Sequence, residues 1–227
     1  FLTEAFGIRG ENWARVAERR GFNTAVVPVD GYEDIVGAIA KLPGWALVYV
    51  DHRDCVFVRE VAEHQALIGK YKIELAREWK REGAEPEERL PAWKAAYGGR
   101  GRPWYSMGMA QSFFALGSLE NAAVYLRRAL EHYPGHERAM AELAAVDAFL
   151  GRREEADQLA RKLKPAWAVY SDRMLAGWLM GAGRKDEAMA VLERAVRGGT
   201  HDATLRVALA DLYFQANPPN FAAAKAE

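Results

Sequence analysis

Gly117-Ser118-Leu119-Glu120-Asn121-Ala122, Gly151-Arg152-Arg153-Glu154-Glu155-Ala156 and Gly183-Arg184-Lys185-Asp186-Glu187-Ala188 share one pattern, a glycine with an alanine five residues on. The glycines stand 34 and then 32 residues apart, and Asn217 with Ala222 continues the series 34 further on. An interval of that size marks a solenoid of helix pairs, in which each pair is covered by its neighbours. Within each pair the glycine ends the first helix in a left-handed cap. Acids then open the second helix near its positive end: Glu120, Glu154 with Glu155, and Asp186 with Glu187. Pro134 stops the second helix of the first unit.

Other columns keep the same register. Ala110, Ala144, Ala176 and Ala210 recur in the first helices, each preceded by a larger apolar residue: Met109, Leu143, Leu175 and Leu209. Small residues suit the close crossing of a helical hairpin, and the larger ones fill the groove beside it. Together these columns resemble the tetratricopeptide repeat. The match runs through a small residue at the eighth position and a large one at the eleventh (Phe113, Leu179, Tyr213). It continues through the glycine, the alanine at the twentieth, an alanine at the twenty-seventh (Ala129, Ala195) and the proline. The resemblance covers residues 103 to 224, three units and a truncated fourth. Two departures stand out: Asp147 occupies the large column of unit two, which is two residues short, and Thr200 replaces the proline of unit three.

An array of this kind curves and leaves a concave surface lined by first helices, which makes it a binding surface. Helical phase places Trp104, Met107, Gln111 and Phe114 of unit one on it, then Arg138, Ala141, Ala145 and Ala148 of unit two. Unit three supplies Tyr170, Arg173, Gly177 and Met180, and unit four Thr204, Val207, Asp211 and Phe214. Some tetratricopeptide domains hold a terminal carboxylate with Lys and Asn at the fifth and ninth positions. Here Met107 and Gln111, then Ala145, Arg173 and Gly177 stand there, so only Arg173 of that clamp is present. The expected ligand is an extended or helical apolar segment of a protein or peptide. The alternative is a groove filled from within, by the preceding bridge helices or a C-terminal cap.

Upstream, the chain reads as a small α/β domain over residues 1–59. Phe1 to Thr3 reads as a first strand, Asn12 as the cap of a helix ending at Gly21, and Thr24 to Val29 as a buried strand. A helix over Glu33 to Lys41 and a hairpin of Trp45–Val50 with Cys55–Val58 complete it. The order β-α-β-α-β-β predicts a partly parallel sheet with the hairpin at one edge. Gly21-Phe22-Asn23-Thr24-Ala25-Val26-Val27, Pro43-Gly44-Trp45-Ala46-Leu47-Val48-Tyr49-Val50-Asp51 and Val56-Phe57-Val58-Arg59 resemble the soluble domain of bacterial polyprenyl-phosphate-sugar-dependent membrane glycosyltransferases. That resemblance implies a second function, an extracytoplasmic accessory region whose catalytic membrane part is missing. It also implies a periplasmic rather than cytoplasmic location. Both ends read as cut through structural elements, so a longer parent chain is expected, its membrane part N-terminal.

Residues 60–102 read as a bridge. Val61, Ala62, Leu67, Ile68, Tyr71, Leu75 and Trp79 predict one long amphipathic helix or two abutting ones from Arg59 to Arg81, and a shorter helix runs from Glu85 past Trp93 to Tyr97. Gly98-Gly99-Arg100-Gly101-Arg102-Pro103 reads as a hinge. The whole is expected to be mainly α: a helical-hairpin solenoid over 103–227 behind the bridge and the α/β domain.

Composition narrows the chemistry. Lys plus Arg and Asp plus Glu balance at 31 each over 227 residues, so no bulk field favours nucleic acid. A single cysteine, Cys55, excludes an internal disulfide and a multi-cysteine metal site. No run reaches the roughly 18–20 apolar residues that cross a bilayer. His132 and His136 have metal spacing, but Pro134 and Gly135 between them predict a turn. Asp51, His52 and Asp54 share a hairpin turn without a usable nucleophile, and Gly98 to Gly101 lacks the residues of a phosphate loop. No catalytic residue, metal site or cofactor is expected. The array reads as a protein-binding scaffold, with self-association as a further possibility.

Overall fold

The computed structural model describes residues 13–79, 104–199 and 202–215. The first strand at Phe1 to Thr3, the Asn12 cap, the helix around Trp93, the glycine hinge, Thr200 and the series beyond Asn217 all lie outside the described residues. Ten α-helices and three strands stand within them, so the chain is mainly α. It divides into two compact units, residues 1–134 and 135–227.

In the first unit, α1 (Trp13–Arg20) leads to β1 (Thr24–Pro28), α2 (Glu33–Ala40), β2 (Trp45–Val50) and β3 (Asp54–Arg59). The strand order is β1-β3-β2, with β3 antiparallel to both neighbours. The expected parallel pairing is not found among these strands, while the expected hairpin does hold one edge of the sheet, through β2. Among the described residues every strand pair is antiparallel, and β3 is central. Its Cys55, Phe57 and Val58 are buried, which suits the middle of a sheet better than an edge. Val36 and Ile39 of α2 are buried as well. On the opposite face, Ile68 of α3 (Gln65–Tyr71) covers Ala46 and Val58.

The helix predicted from Arg59 to Arg81 is also corrected. It is a single 3-10 turn at Ala62–His64 followed by α3. At Lys72 the backbone turns extended (φ −56°, ψ 126°), and the N–H of Ile73 donates to the Leu47 carbonyl on β2. From there to Trp79 the chain is a strap without helix. The spacing of Leu75 and Trp79 fits a helical face; the strap instead finds its partners at the start of α5 (Leu119–His132) and at Ser118, the residue before it. Ser118 Oγ donates to the Leu75 carbonyl, Asn121 Nδ2 to that of Arg77, and Asn121 Oδ1 accepts the Trp79 N–H at 2.8 Å. Asn121 is thus a buried amide with backbone partners on both sides, as buried polar groups require. The Trp79 ring packs on Phe113 of α4 (Trp104–Ala115) and on Tyr125.

The second unit holds α6 (Glu137–Phe149), α7 (Arg153–Ala160), α8 (Pro165–Gly181), α9 (Lys185–Arg197) and α10 (Ala203–Gln215). Helix α6 pairs with α7 and α8 with α9, while α8 packs on α6 and α10 on α9. Its core is Leu175, Ala176, Leu179, Ala188, Leu192, Leu205 and Leu209. The columns read from the sequence are these contacts. Gly117, Gly151 and Gly183 have φ of +74°, +84° and +74°. In each case the next residue's N–H returns to the carbonyl four residues before the glycine, to Phe113, Asp147 and Leu179. The glycine's own N–H goes to Phe114, Ala148 and Met180. Those two bonds close a helix with a reversal that only glycine adopts without strain.

Candidate functional site

In the first unit, one stripe of α4 lies against the α/β domain. The turn between β2 and β3 is built by Asp51, whose Oδ1 accepts the N–H groups of Arg53 and Asp54 at 2.8 Å each. Burial pushes the Asp51 carboxyl up, but those two backbone donors, the Tyr49 hydroxyl and His52 outweigh it, and the net shift is downward. The turn rests on α4: Ser112 Oγ donates to the Asp51 carbonyl at 2.6 Å, and the His52 ring meets Trp104 edge-on at 4.9 Å. Two glycines let the backbones approach. A Cβ on Gly108 would stand 2.7 Å from His52, and one on Gly37 of α2 would stand 2.8 Å from the Ala115 carbonyl.

Of the residues phased onto the groove, Trp104 therefore contacts the α/β domain and remains 42% exposed. Met107, Gln111 and Phe114 are half-buried beside that stripe. The β2–β3 turn thus meets that face at Trp104, a contact that sequence spacing could not indicate because it joins residues some 50 to 60 apart in the chain.

In the second unit, three of the phased residues come together. Glu142 is fully buried in α6, and Arg138 Nε donates to its Oε1 at 2.7 Å. The Tyr170 hydroxyl of α8 donates to the same oxygen at 3.0 Å. The Arg173 guanidinium lies 5.5 Å from the Tyr170 ring centre, with Asp202 at 3.8 Å. Burial pushes Glu142 upward, and Arg138 and Tyr170 only partly offset it. Ala141 and Ala145 are buried, whereas Gly177 is exposed with nothing within 4 Å of its would-be Cβ. Met180, Val207 and Phe214 are 37%, 60% and 57% exposed. Glu142 escaped the sequence reading because a glutamate in mid-helix reads as solvated face.

A second concavity was also missed. Helix α7 has 8 residues against 14 in α5 and 13 in α9. Pro165, at the first position of α8, is suited to starting a helix there and ends the room for α7. A cavity of about 1040 Å³ lies between α7 and α9, floored by Ala168, Leu175 and Leu179. Asp172 beside it is held by Arg194 at 2.7 Å.

The histidine pair is divided between structural tasks. His132 is the last residue of α5, and His136 caps α6, its Nδ1 accepting the Ala139 N–H. Among the described residues no group of three or more His, Cys, Asp or Glu could hold a metal ion, and no helix is long and apolar enough to cross a membrane. Cys55 is buried, and burial, with Asp51 and Asp54 nearby, pushes its thiol up to about 12. No curated protein and no solved structure matches the chain, so the likeness of residues 1–59 to membrane glycosyltransferases finds no support. The helical repeat does: residues 103–146, spanning α4, α5 and most of α6, match the family model of the tetratricopeptide repeat.

Proposed function

We propose that this chain is a non-catalytic scaffold that binds a protein or peptide through the first-helix faces of its second unit. One observation carries the reading. Met180, Val207 and Phe214 are the large apolar residues left exposed among the described residues of that unit. All three stand at the columns that helical phase assigns to the concave surface. Single exposed apolar residues are ordinary, but a recurrence at matching columns of successive first helices is the pattern of a docking surface. The tetratricopeptide match at 103–146 supports the same class of function, since stacked helix pairs present surfaces rather than reactive groups. On α4 the same face has Trp104 in contact with the α/β domain, which favours the second unit as the docking surface.

The test is affinity capture from a lysate of the source cells, comparing the natural protein with Val207→Ser and Phe214→Ala. Loss of an aromatic anchor weakens a bound partner roughly tenfold or more. An identical set of captured proteins at identical yield would show that this face is not the docking surface.

A further inference from the structure

The cavity between α7 and α9 has the length and the lining of a seat for a further helix. Its floor follows α8 from Ala168 past Leu175 to Leu179, about 16 Å at the helical rise, or roughly three turns. Ala156 and Ala160 of α7 line one side, and Ala190 and Ala195 of α9 the other. Side chains of that size let another helix come close, since the distance between packed helices is set by the residues at their contact.

Ser171 points to an occupant independently of shape. It lines the cavity at 8% exposure, and its hydroxyl has no hydrogen-bond partner among the described residues. A serine in mid-helix ordinarily bonds a carbonyl of the preceding turn or faces water. Polar groups buried this deeply are partnered as a rule, so this hydroxyl awaits an atom from outside α8.

The mouth of the cavity says what brings that atom. Arg153, Asp157 and Arg161 follow one another at four-residue steps, all exposed and all lining the cavity. Arg161 stands just past the end of α7 but keeps helical angles (φ −62°, ψ −21°), so the three form one row. None of these side chains has a hydrogen bond or ion pair among the described residues, although Arg153 feels the charge of Glu187. Glu187 is already held by Arg184 through two bonds, at 2.6 and 2.7 Å, and Asp172 by Arg194. The row on α7 is thus left to face a partner, and its alternating sign asks for more than a single anionic group.

We propose that the cavity seats an α-helix of a partner protein carrying an acid, a base and an acid at four-residue steps, opposite Arg153, Asp157 and Arg161. Its inner face is of small apolar residues with one hydroxyl or amide, which meets Ser171. The charge pattern is the same read from either end, so both directions of the helix satisfy it. This surface belongs to the second helices and does not rest on the first-helix face assigned above.

The probe is the peptide fluorescein-Ala-Ala-Leu-Ala-Glu-Ala-Ala-Ser-Lys-Ala-Leu-Ala-Glu-Ala-Ala-Ala-amide. In two counterparts, Glu, Lys and Glu become Lys, Glu and Lys, or three Gln. Binding is followed by fluorescence anisotropy on the full chain. The Glu-Lys-Glu peptide is expected to bind roughly tenfold tighter than the Lys-Glu-Lys peptide, through three exposed pairs of modest strength and the repulsion in the reversed set. Added salt should shrink that difference. The triple variant Arg153→Glu/Asp157→Lys/Arg161→Glu, at exposed positions outside the core, should reverse the order. Ala190→Trp, which fills the cavity from its exposed side, should abolish binding of every peptide, and Phe214→Ala should leave it unchanged. Equal affinity for the three peptides, absence of binding, an order that the triple variant keeps, or binding that survives Ala190→Trp would each overturn the proposal. Loss of binding in Phe214→Ala would overturn it too, by moving the peptide to the first-helix face. A dimer in light scattering that Ala190→Trp dissolves would assign the cavity to a second copy of the chain instead. Dodecanoate bound there with no peptide bound would assign it to an acyl chain.

Discussion

The carboxyl groups of Asp51 and Glu142 are perturbed in opposite senses, and each makes a separate statement about stability. Asp51 is held below the ordinary carboxylate value, so its contribution is present above that range and is lost as pH falls through its folded-state value. Asp51→Asn should flatten the acid limb of a stability-against-pH curve measured by urea unfolding. Glu142 is raised above its ordinary 4.5, so the protonated form favours folding and stability falls as pH rises from there through its folded value. Glu142→Gln should remove that decline. Arg138→Ala is the severe change, since it strands a buried carboxylate, and should cost about 3 kcal/mol or more. The double variant Arg138→Ala/Glu142→Gln should be more stable than Arg138→Ala alone. Neither carboxyl was legible in the sequence. The position of Asp51 in a turn was, but the serine of α4 that seats the turn lies 61 residues away.

At the scale of elements, glycine has two opposite uses, and they predict opposite signs. In a helix interior, Gly→Ala ordinarily stabilises by about 1 kcal/mol. Gly177 lies in α8 with open space beyond it, and Gly177→Ala should follow that rule. Gly37 and Gly108 should break it, because their new methyl groups would meet a backbone carbonyl at 2.8 Å and His52 at 2.7 Å, and overpacking of that kind costs roughly 1–3 kcal/mol. Equal stabilisation at all three positions in urea titrations would mean that the α/β domain does not rest on α4. The reversals after the first helices were legible, since Gly117, Gly151 and Gly183 announce them. The replacement of Phe113 and Leu179 by Asp147 at the same column was visible but not interpretable. In the structure this residue and Arg152, the two ends of the reversal, meet as an ion pair at 3.0 Å. That pair stands where an apolar contact usually accompanies the turn. Shortening of α7 was likewise legible as two missing residues, whereas the cavity that follows from it was not.

At the scale of the whole molecule, periodicity made the helical array readable and left the α/β domain half-read. Local runs identified its strands and its edge hairpin, but strand order depends on contacts that no local pattern encodes, so the antiparallel pairing of β1 with β3 was not legible. The strap from Lys72 to Trp79 failed for the same reason: apolar spacing that fits a helix also fits a chain whose apolar residues are buried by a distant neighbour. Its bonds to Asn121 and the Trp79 contact with Tyr125 tie the domain to the first helical pair. Trp79→Ala should therefore lower hydrogen-exchange protection in α4 and α5 as well as in the strap. A loss confined to residues 72–79 would show that the pair stands by itself.

The central place of β3 carries a consequence for how the chain is made. When the ribosome has released β1 and β2, neither has its partner among the described strands, because the one that joins them is the last of the three to emerge. The nascent sheet thus waits open until Arg59 is out, and its edges are exposed to mispairing during that interval. Even then the resting place for the β2–β3 turn does not exist until Ser112 has been synthesised. Slowing translation between these two points should lengthen the vulnerable period and raise the aggregated fraction without altering the finished protein.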